Sequence, residues 1–254
     1  MINEIGASGD DNRRRITAEF ERAAEGFAGR TRGRFDDLGA VEFSQVRSPG
    51  VVAEVGAGTG HFLSLFEGAA SRLLALDLTF GMLARARADH PELDLLQCDG
   101  NHLPLADGSI DLVCSAQMLH HVERPVPILK EMARVAKSNV LIVDQVATER
   151  YEEIAARHAL EMVRDPSHAA TRPPSAYRIM LTAAGLEILD EKIVEGEQRL
   201  SKWMWPGEFP DERIAAVRHF IEEHGHETGM EFRRTDSDDW AFTRRRIMLL
   251  ASRA

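Results

Sequence analysis

With 254 residues, 44% of them hydrophobic, the chain is long enough to bury one substantial core. Its formal net charge of −10 argues against a nucleic-acid partner, because polyanion affinity comes from Lys and Arg neutralising phosphates, and favours a small-molecule substrate. The two cysteines, Cys98 and Cys114, each sit in an apolar run and predict buried thiols, with neither disulfide nor metal cluster; no signal-like or membrane-spanning apolar stretch is seen, which predicts a cytoplasmic protein without a membrane span.

Residues up to about Ser48 hold one amphipathic helical stretch, roughly Ile16 to Phe27, after which Gly29, Gly33 and Gly39 interrupt the pattern. Residues 1–48 therefore read as a helical cap or lid, and 49–254 as the main domain. From Val51 the texture changes to short apolar runs, VVAEV, RLLALDL, DLLQC, IDLVCS and NVLIVDQV, separated by helical patterns. Such runs predict a parallel sheet covered on both faces.

Between the runs, a helix is predicted from near His61, and another over Phe80 to Ala88, capped by Thr79 and ended by His90-Pro91. A third helix places Ile128, Leu129, Met132, Val135 and Ala136 on one face. Two more follow, one around Glu149 to Val163 and one over Ala176 to Ala184, capped by Ser175 and stopped by Gly185. Leu186 to Val194 and Trp240 to Ser252 read as further strands. The stretch 203–239 between them reads as an inserted cap, with a helix over Asp211 to His224 ended by Gly225. The basic runs Arg13 to Arg15 and Arg244 to Arg246 read as solvated or salt-bridged surface.

The most informative segment is VVAEVGAGTGHF, in which a strand runs into Gly56-Ala57-Gly58-Thr59-Gly60. Glycines here let the backbone turn tightly and let a ligand lie against the chain. The third glycine comes one residue too early for a dinucleotide fingerprint, and the Gly-Lys-Ser/Thr ending of a P-loop is absent. Glu54 precedes the loop, where its carboxylate can meet the cationic end of a ligand. Asp77, about twenty residues on, ends the second run and can accept both hydroxyls of a ribose. Asp99 ends the third run and can accept from an adenine amino group, with the Gly100 and Asn101 backbone beside the ring. A helix N-cap explains a single Asp as well, but explains three successive acidic strand ends poorly.

Taken together, EVGAGTG, the acidic LDL strand end, CDGNHLPLADGSIDLV and MLHHV resemble the class I S-adenosylmethionine-dependent methyltransferases, and within them the group related to ubiquinone and menaquinone biosynthesis. The resemblance covers about Val51 to Val146. It implies a Rossmann-like α/β fold with a seven-stranded, mostly parallel sheet, an antiparallel last hairpin and helices on both faces. It also implies S-adenosylmethionine as cofactor, with Glu54, Gly56, Ala57, Gly58 and Gly60 at the methionine part, Asp77 at the ribose and Asp99 at the adenine. Leu78, Met82, Ser115 and Gln117 complete the implied binding set. Glu54 stands where the family has Asp, and Ala57 where it often has Cys.

The fourth run ends in CSAQMLHHV, which brings Gln117, His120 and His121 to the strand ends where open α/β sheets bind ligands. His121 is the first candidate for a base and His120 the second, although a histidine after a strand is more often a structural hydrogen-bonding residue. A metal role is weaker, because adjacent histidines point apart and no acidic ligand stands at helical spacing. Phe20, Phe27, Phe35, Trp203, Met204, Trp205 and Phe209 could line an apolar substrate pocket; core packing or a homodimer contact explains such residues more often. The alternatives are an NAD-dependent oxidoreductase and a nucleoside-binding protein without turnover.

Overall fold

The computed structural model describes residues 2–45, 50–204, 209–235 and 237–253. Trp205, expected in a substrate pocket, lies outside them. Strands β1 (Val51–Val55), β2 (Arg72–Asp77), β3 (Asp94–Gln97), β4 (Ile110–Ala116) and β5 (Ala136–Gln145) run parallel in the spatial order β3-β2-β1-β4-β5. β6 (Leu186–Arg199) and β8 (Trp240–Arg253) complete the sheet, with β8 antiparallel between β5 and β6, and the two-residue β7 (Arg233–Arg234) pairs with β8. The apolar runs were legible as strands because both of their faces are buried: Val52, Ala53, Leu112, Val113, Leu141 and Ile142 are fully enclosed.

Eight helices surround the sheet among the described residues: α1 (Ile2–Thr31), α2 (Ala40–Phe43), α3 (Phe80–Asp89), α4 (Pro125–Val135), α5 (Tyr151–Arg164), α6 (Pro174–Ala183), α7 (Leu200–Trp203) and α8 (Asp211–His224). On one face Ile128, Leu129 and Met132 of α4 pack with Tyr177 and Leu181 of α6, and on the other Phe35, Leu38, Phe62 and Phe66 cover β1 and β2. No described helix is long and apolar enough to cross a membrane.

Four local expectations are corrected. The N-terminal helix spans 30 residues and passes through Gly29; the chain breaks only at Gly33 and Gly39, where φ is +70° and +63°. Packing on α3, with Glu21 accepting from the backbone N–H of Gly81, offsets the helix cost of the glycines that the helix carries. After the glycine loop stands a single 3₁₀ turn, Leu63–Phe66, where a longer helix was expected, because Gly68 at φ +77° turns the chain back toward β2. Thr79 does not cap α3 through its side chain. Ser175 lies inside α6, and its hydroxyl donates to Glu149.

The inserted stretch is more built than an open flap. Met204, Phe209, Val217, Ile221 and Met230 form a third apolar cluster with Leu160 of α5 and Phe242 of β8.

Candidate active site

The strand order reverses between β1 and β4, and ligands of open α/β sheets bind outside the strand ends at such a point. A cavity of about 470 Å³ lies there, bounded by the glycine loop, the β2 and β3 ends, and α1 above. Of the residues expected to bind a cofactor, Glu54, Gly56, Ala57, Gly58, Asp77, Leu78, Met82, Asp99, Gly100, Asn101 and Gln117 all line it. Gly60 and Ser115 do not. A Cβ on Gly60 would fall 2.6 Å from Leu93 Cδ1, so that glycine serves close packing, and Ser115 is buried behind the cavity with its hydroxyl unpaired. A Cβ on Gly58, at φ +54°, would meet only Phe27 Cε1 at 4.0 Å, which leaves space against the backbone for a ligand.

Asp77 ties this loop down. Its carboxylate accepts the N–H of Gly58 at 2.7 Å and that of Thr79 at 2.8 Å, which leaves further lone pairs for a ligand's hydroxyls. Burial raises its pKa, with those two backbone donors pulling against it. Asp99 accepts from both the backbone and the side-chain amide of Asn101, and its other oxygen meets Arg13 of α1 at 2.6 Å. Burial alone would raise Asp99, but these donors hold it below its ordinary range. Arg13, expected on a solvated or salt-bridged surface, is salt-bridged and half-exposed, and its partner Asp99 makes it a rim residue of the cavity.

Glu54 is enclosed, its Oε2 has no hydrogen-bond partner, and burial drives its pKa well above the ordinary carboxylate range. A buried carboxylate in that state is stabilised by a cation. The α-ammonium of S-adenosylmethionine would supply one, the Gly58 gap would take its chain, and Asp77 its ribose. The residues present fit the cofactor.

His120 and His121 follow Gln117, which turns the chain at φ +55°, with its N–H held by Val143 O at 2.7 Å. Both histidines are buried, and burial depresses both pKa values, most strongly for His120. They differ in their partners. His120 Nδ1 lies 2.6 Å from Asp144 Oδ1, the Asp144 carboxyl being pushed up to about 6 by burial, and His120 does not line the main cavity. His121 does line it, and its Nδ1 sits 2.9 Å from Ser167 Oγ, whose own proton goes to Asp165 Oδ1. Because Ser167 spends its hydrogen on Asp165, Nδ1 of His121 must be the donor, and Nε2 is left to accept a proton. No group of His, Cys, Asp and Glu able to hold a metal is present among the described residues.

A second cavity of about 220 Å³ adjoins the first, and Phe20, Phe27, Arg34, Gln117 and His121 belong to both. Trp203, Met230 and Phe242 contribute its apolar wall, and Arg157, Arg164, Arg244 and Arg246 its cationic one. Arg245, paired with Glu195 and Glu231, fits the reading of this run as solvated or salt-bridged surface; its neighbours correct it, since Arg246 is only 4% exposed and Arg244 lines the cavity. Alternation along β8 turns positions 244 and 246 to the same face, a signal that a polar run concealed.

Residues 53–143 match the family described as a methyltransferase domain. The chain is 33% identical over 129 residues to a malonyl-[acyl-carrier protein] O-methyltransferase of Yersinia pestis, covering 50% of this chain and 48% of that protein. It is 37% identical over 86 residues to a demethylmenaquinone methyltransferase of Renibacterium salmoninarum, covering 34% and 36%. The chain thus spans about half or less of the length of these relatives. The crystal structure of the YcgJ protein from Bacillus subtilis superposes with a TM-score of 0.77 at 22% identity, over 84% of this chain and 96% of that one, a likeness of fold. The family match runs through the glycine loop and all three acidic strand ends, which sets aside the dinucleotide reading of that loop. Residues 53–143 thus carry a methyltransferase domain, and over this stretch the chain is similar to S-adenosylmethionine-dependent methyltransferases.

Proposed function

We propose that the protein transfers a methyl group to a small molecule held where the two cavities meet, with His121 as the residue that takes the acceptor's proton. One observation carries the reading: His121 lines both the nucleoside-sized cavity and its neighbour, and Ser167 and Asp165 fix its tautomer. S-adenosylmethionine, when bound, would supply an electrophilic methyl carbon on a sulfonium, whose sulfur would leave with the electron pair of the carbon–sulfur bond.

The chain's own work is to bind, orient and exclude water. Glu54 and the Gly58 backbone receive the amino-acid end, Asp77 the ribose hydroxyls and the Asp99 region the base. Neutral His121 accepts the proton at Nε2, and the ionised Asp165 stabilises the imidazolium through Ser167. Asp165 lies well below the ordinary carboxylate range, burial working against the charge of Arg164 and the two hydrogen bonds from Ser167.

Acceptor choice is assigned to residues 1–48 and 203–239. The first supplies Phe20 and Phe27 over the site, and the second supplies Trp203 and Met230 to its wall. The test is a screen of small acceptors with methyl-labelled S-adenosylmethionine, alongside calorimetry with S-adenosylhomocysteine. The expected result is cofactor binding by the parent, none by Gly58→Val, and label transfer to at least one acceptor. Cofactor binding without transfer to any acceptor favours the reading as a binding protein.

A further inference from the structure

We propose that the methyl acceptor carries an anionic group, a carboxylate or a phosphate, held by Arg244 and Arg34 in the second cavity while its nucleophilic atom reaches His121. This rests on the methyltransferase reading above and adds the acceptor's chemical class to it.

The charges of this cavity are the first ground. Although the chain as a whole carries −10, seven Lys and Arg side chains line the cavity against four carboxylates. The carboxylates are already taken. Asp37 accepts from Arg246 at 2.6 Å, Glu161 and Asp165 both meet Arg164, at 2.9 and 3.5 Å, and Glu197 pairs with Arg199 and Arg233 outside the cavity. Arg157 is spent on carbonyl oxygens, those of Val146 and the Gln145 side chain. Arg244 has no ion pair among the described residues.

The second ground is how Arg244 is held. Its Nη2 donates to Gln117 Oε1 at 2.8 Å, and Arg34 Nη2 donates to the same oxygen at 2.7 Å. Two guanidinium groups therefore converge on one neutral amide oxygen, where an anion would be a far better acceptor for both. The surroundings act in the same direction: burial, then the charges of Arg246, Arg164 and Arg157, push the Arg244 pKa down to about 9, with Glu161 and Asp37 opposing. A cation so placed is stabilised by a bound negative charge.

The third ground is position. Gln117 and Arg34 line both cavities, so an anion between the two guanidinium groups lies beside the opening into the cofactor cavity, and a nucleophile on the same molecule is directed toward His121. The aromatic wall of Phe20, Phe27 and Trp203 suits an apolar body between the two ends.

The test titrates the S-adenosylhomocysteine-saturated protein with succinate, with inorganic phosphate and with neutral succinamide, by calorimetry. The expected result is binding of at least one anion in roughly the millimolar range and none of succinamide. R244Q should weaken that binding by about tenfold or more, with the affinity for S-adenosylhomocysteine unchanged. R244K should retain part of the phosphate binding and lose the paired geometry a carboxylate needs. The exposed K137Q should change nothing. Succinate alone binding identifies a carboxylate acceptor, and phosphate alone a phosphorylated one. If R244Q does not fold, R34Q reads the same cavity from outside the sheet. Absence of binding by both anions, or unaltered binding in both R244Q and R34Q, overturns the proposal. Failure of S-adenosylhomocysteine to bind the parent overturns the cofactor reading instead, and the anion titration of the free protein still tests the cavity.

Discussion

Phe20 of α1 stands edge-on to the ring of His121, with centroids 4.9 Å apart and planes at 83°. The same helix reaches the turn that carries His121 through Asn12, whose side-chain amide donates to His121 O and whose oxygen accepts from Glu123 N–H. A helix outside the sheet thus closes over the candidate base. Phe20→Ala should open this cover: turnover falls, cofactor affinity changes little, and hydrogen exchange in α1 rises. Unchanged exchange and turnover would show that α1 does not seal the site.

Asp77 holds the glycine loop, and the proposed function gives it the ribose as well. Asp77→Ala removes the acceptor of both the Gly58 and Thr79 N–H groups and that of the ribose hydroxyls, and cofactor affinity should drop by about 2 kcal/mol or more. Asp77→Asn keeps one acceptor oxygen and should fall between Ala and the parent. Calorimetry with S-adenosylhomocysteine measures both, and parent-like affinity in a folded Asp77→Ala protein would refute the ribose role.

Rate should depend on His121 being neutral. Burial holds its pKa below 6.5, so the parent's activity falls only as pH drops through that lowered value and stays flat above it up to the next titration. His121→Asn should lower kcat by about a hundredfold and erase this acid limb. His120→Asn should disturb the limb less, since His120 faces Asp144 and not the main cavity. A His121→Asn enzyme with the parent's rate and pH profile would exclude the base assignment.

His168, enclosed among His120, His158 and Glu161, has its pKa lowered to about 4, chiefly by burial. The unfolded chain takes up this proton near pH 6.5 and the folded one not until about pH 4. This site's contribution is therefore intact above pH 6.5 and declines as pH falls to about 4, by roughly 3 kcal/mol. His168→Gln should remove that dependence, so the stability gap between parent and variant, measured by urea unfolding, should shift against the parent by that amount across this window. A gap independent of pH would contradict the shift.

What the sequence made legible was what local pattern determines. Apolar runs between helical patterns placed the strands, and EVGAGTG with Asp77 and Asp99 pointed to residues that line the main cavity, because both follow from spacing along the chain. Arg244 was misread because its run is polar, and only pairing with β5 and β6 reveals that β8 is an interior strand whose side chains face a cavity. Arg13 escaped for a related reason: its contact with Asp99 joins residues 86 positions apart. His120 and His121 look alike as neighbours in sequence; Asp144 and Ser167, which separate their roles, are brought to them by β5 and by the loop after α5.

The antiparallel wedge of β8 between β5 and β6 bears on how the molecule is made. During synthesis β6 emerges before β8, the one strand that pairs with it among the described residues, and its fourteen residues must wait as an unmatched ribbon. Its sequence suits that delay: Glu187, Asp190, Glu191, Lys192, Glu195 and Glu197 put charge along the strand, which discourages pairing with another chain, and a register shift between Ile188 and Asp190 breaks its regularity. Closure of this half of the sheet is therefore a late, long-range event, and the cationic cavity, whose wall includes Arg244 and Arg246, comes into being only when it is complete.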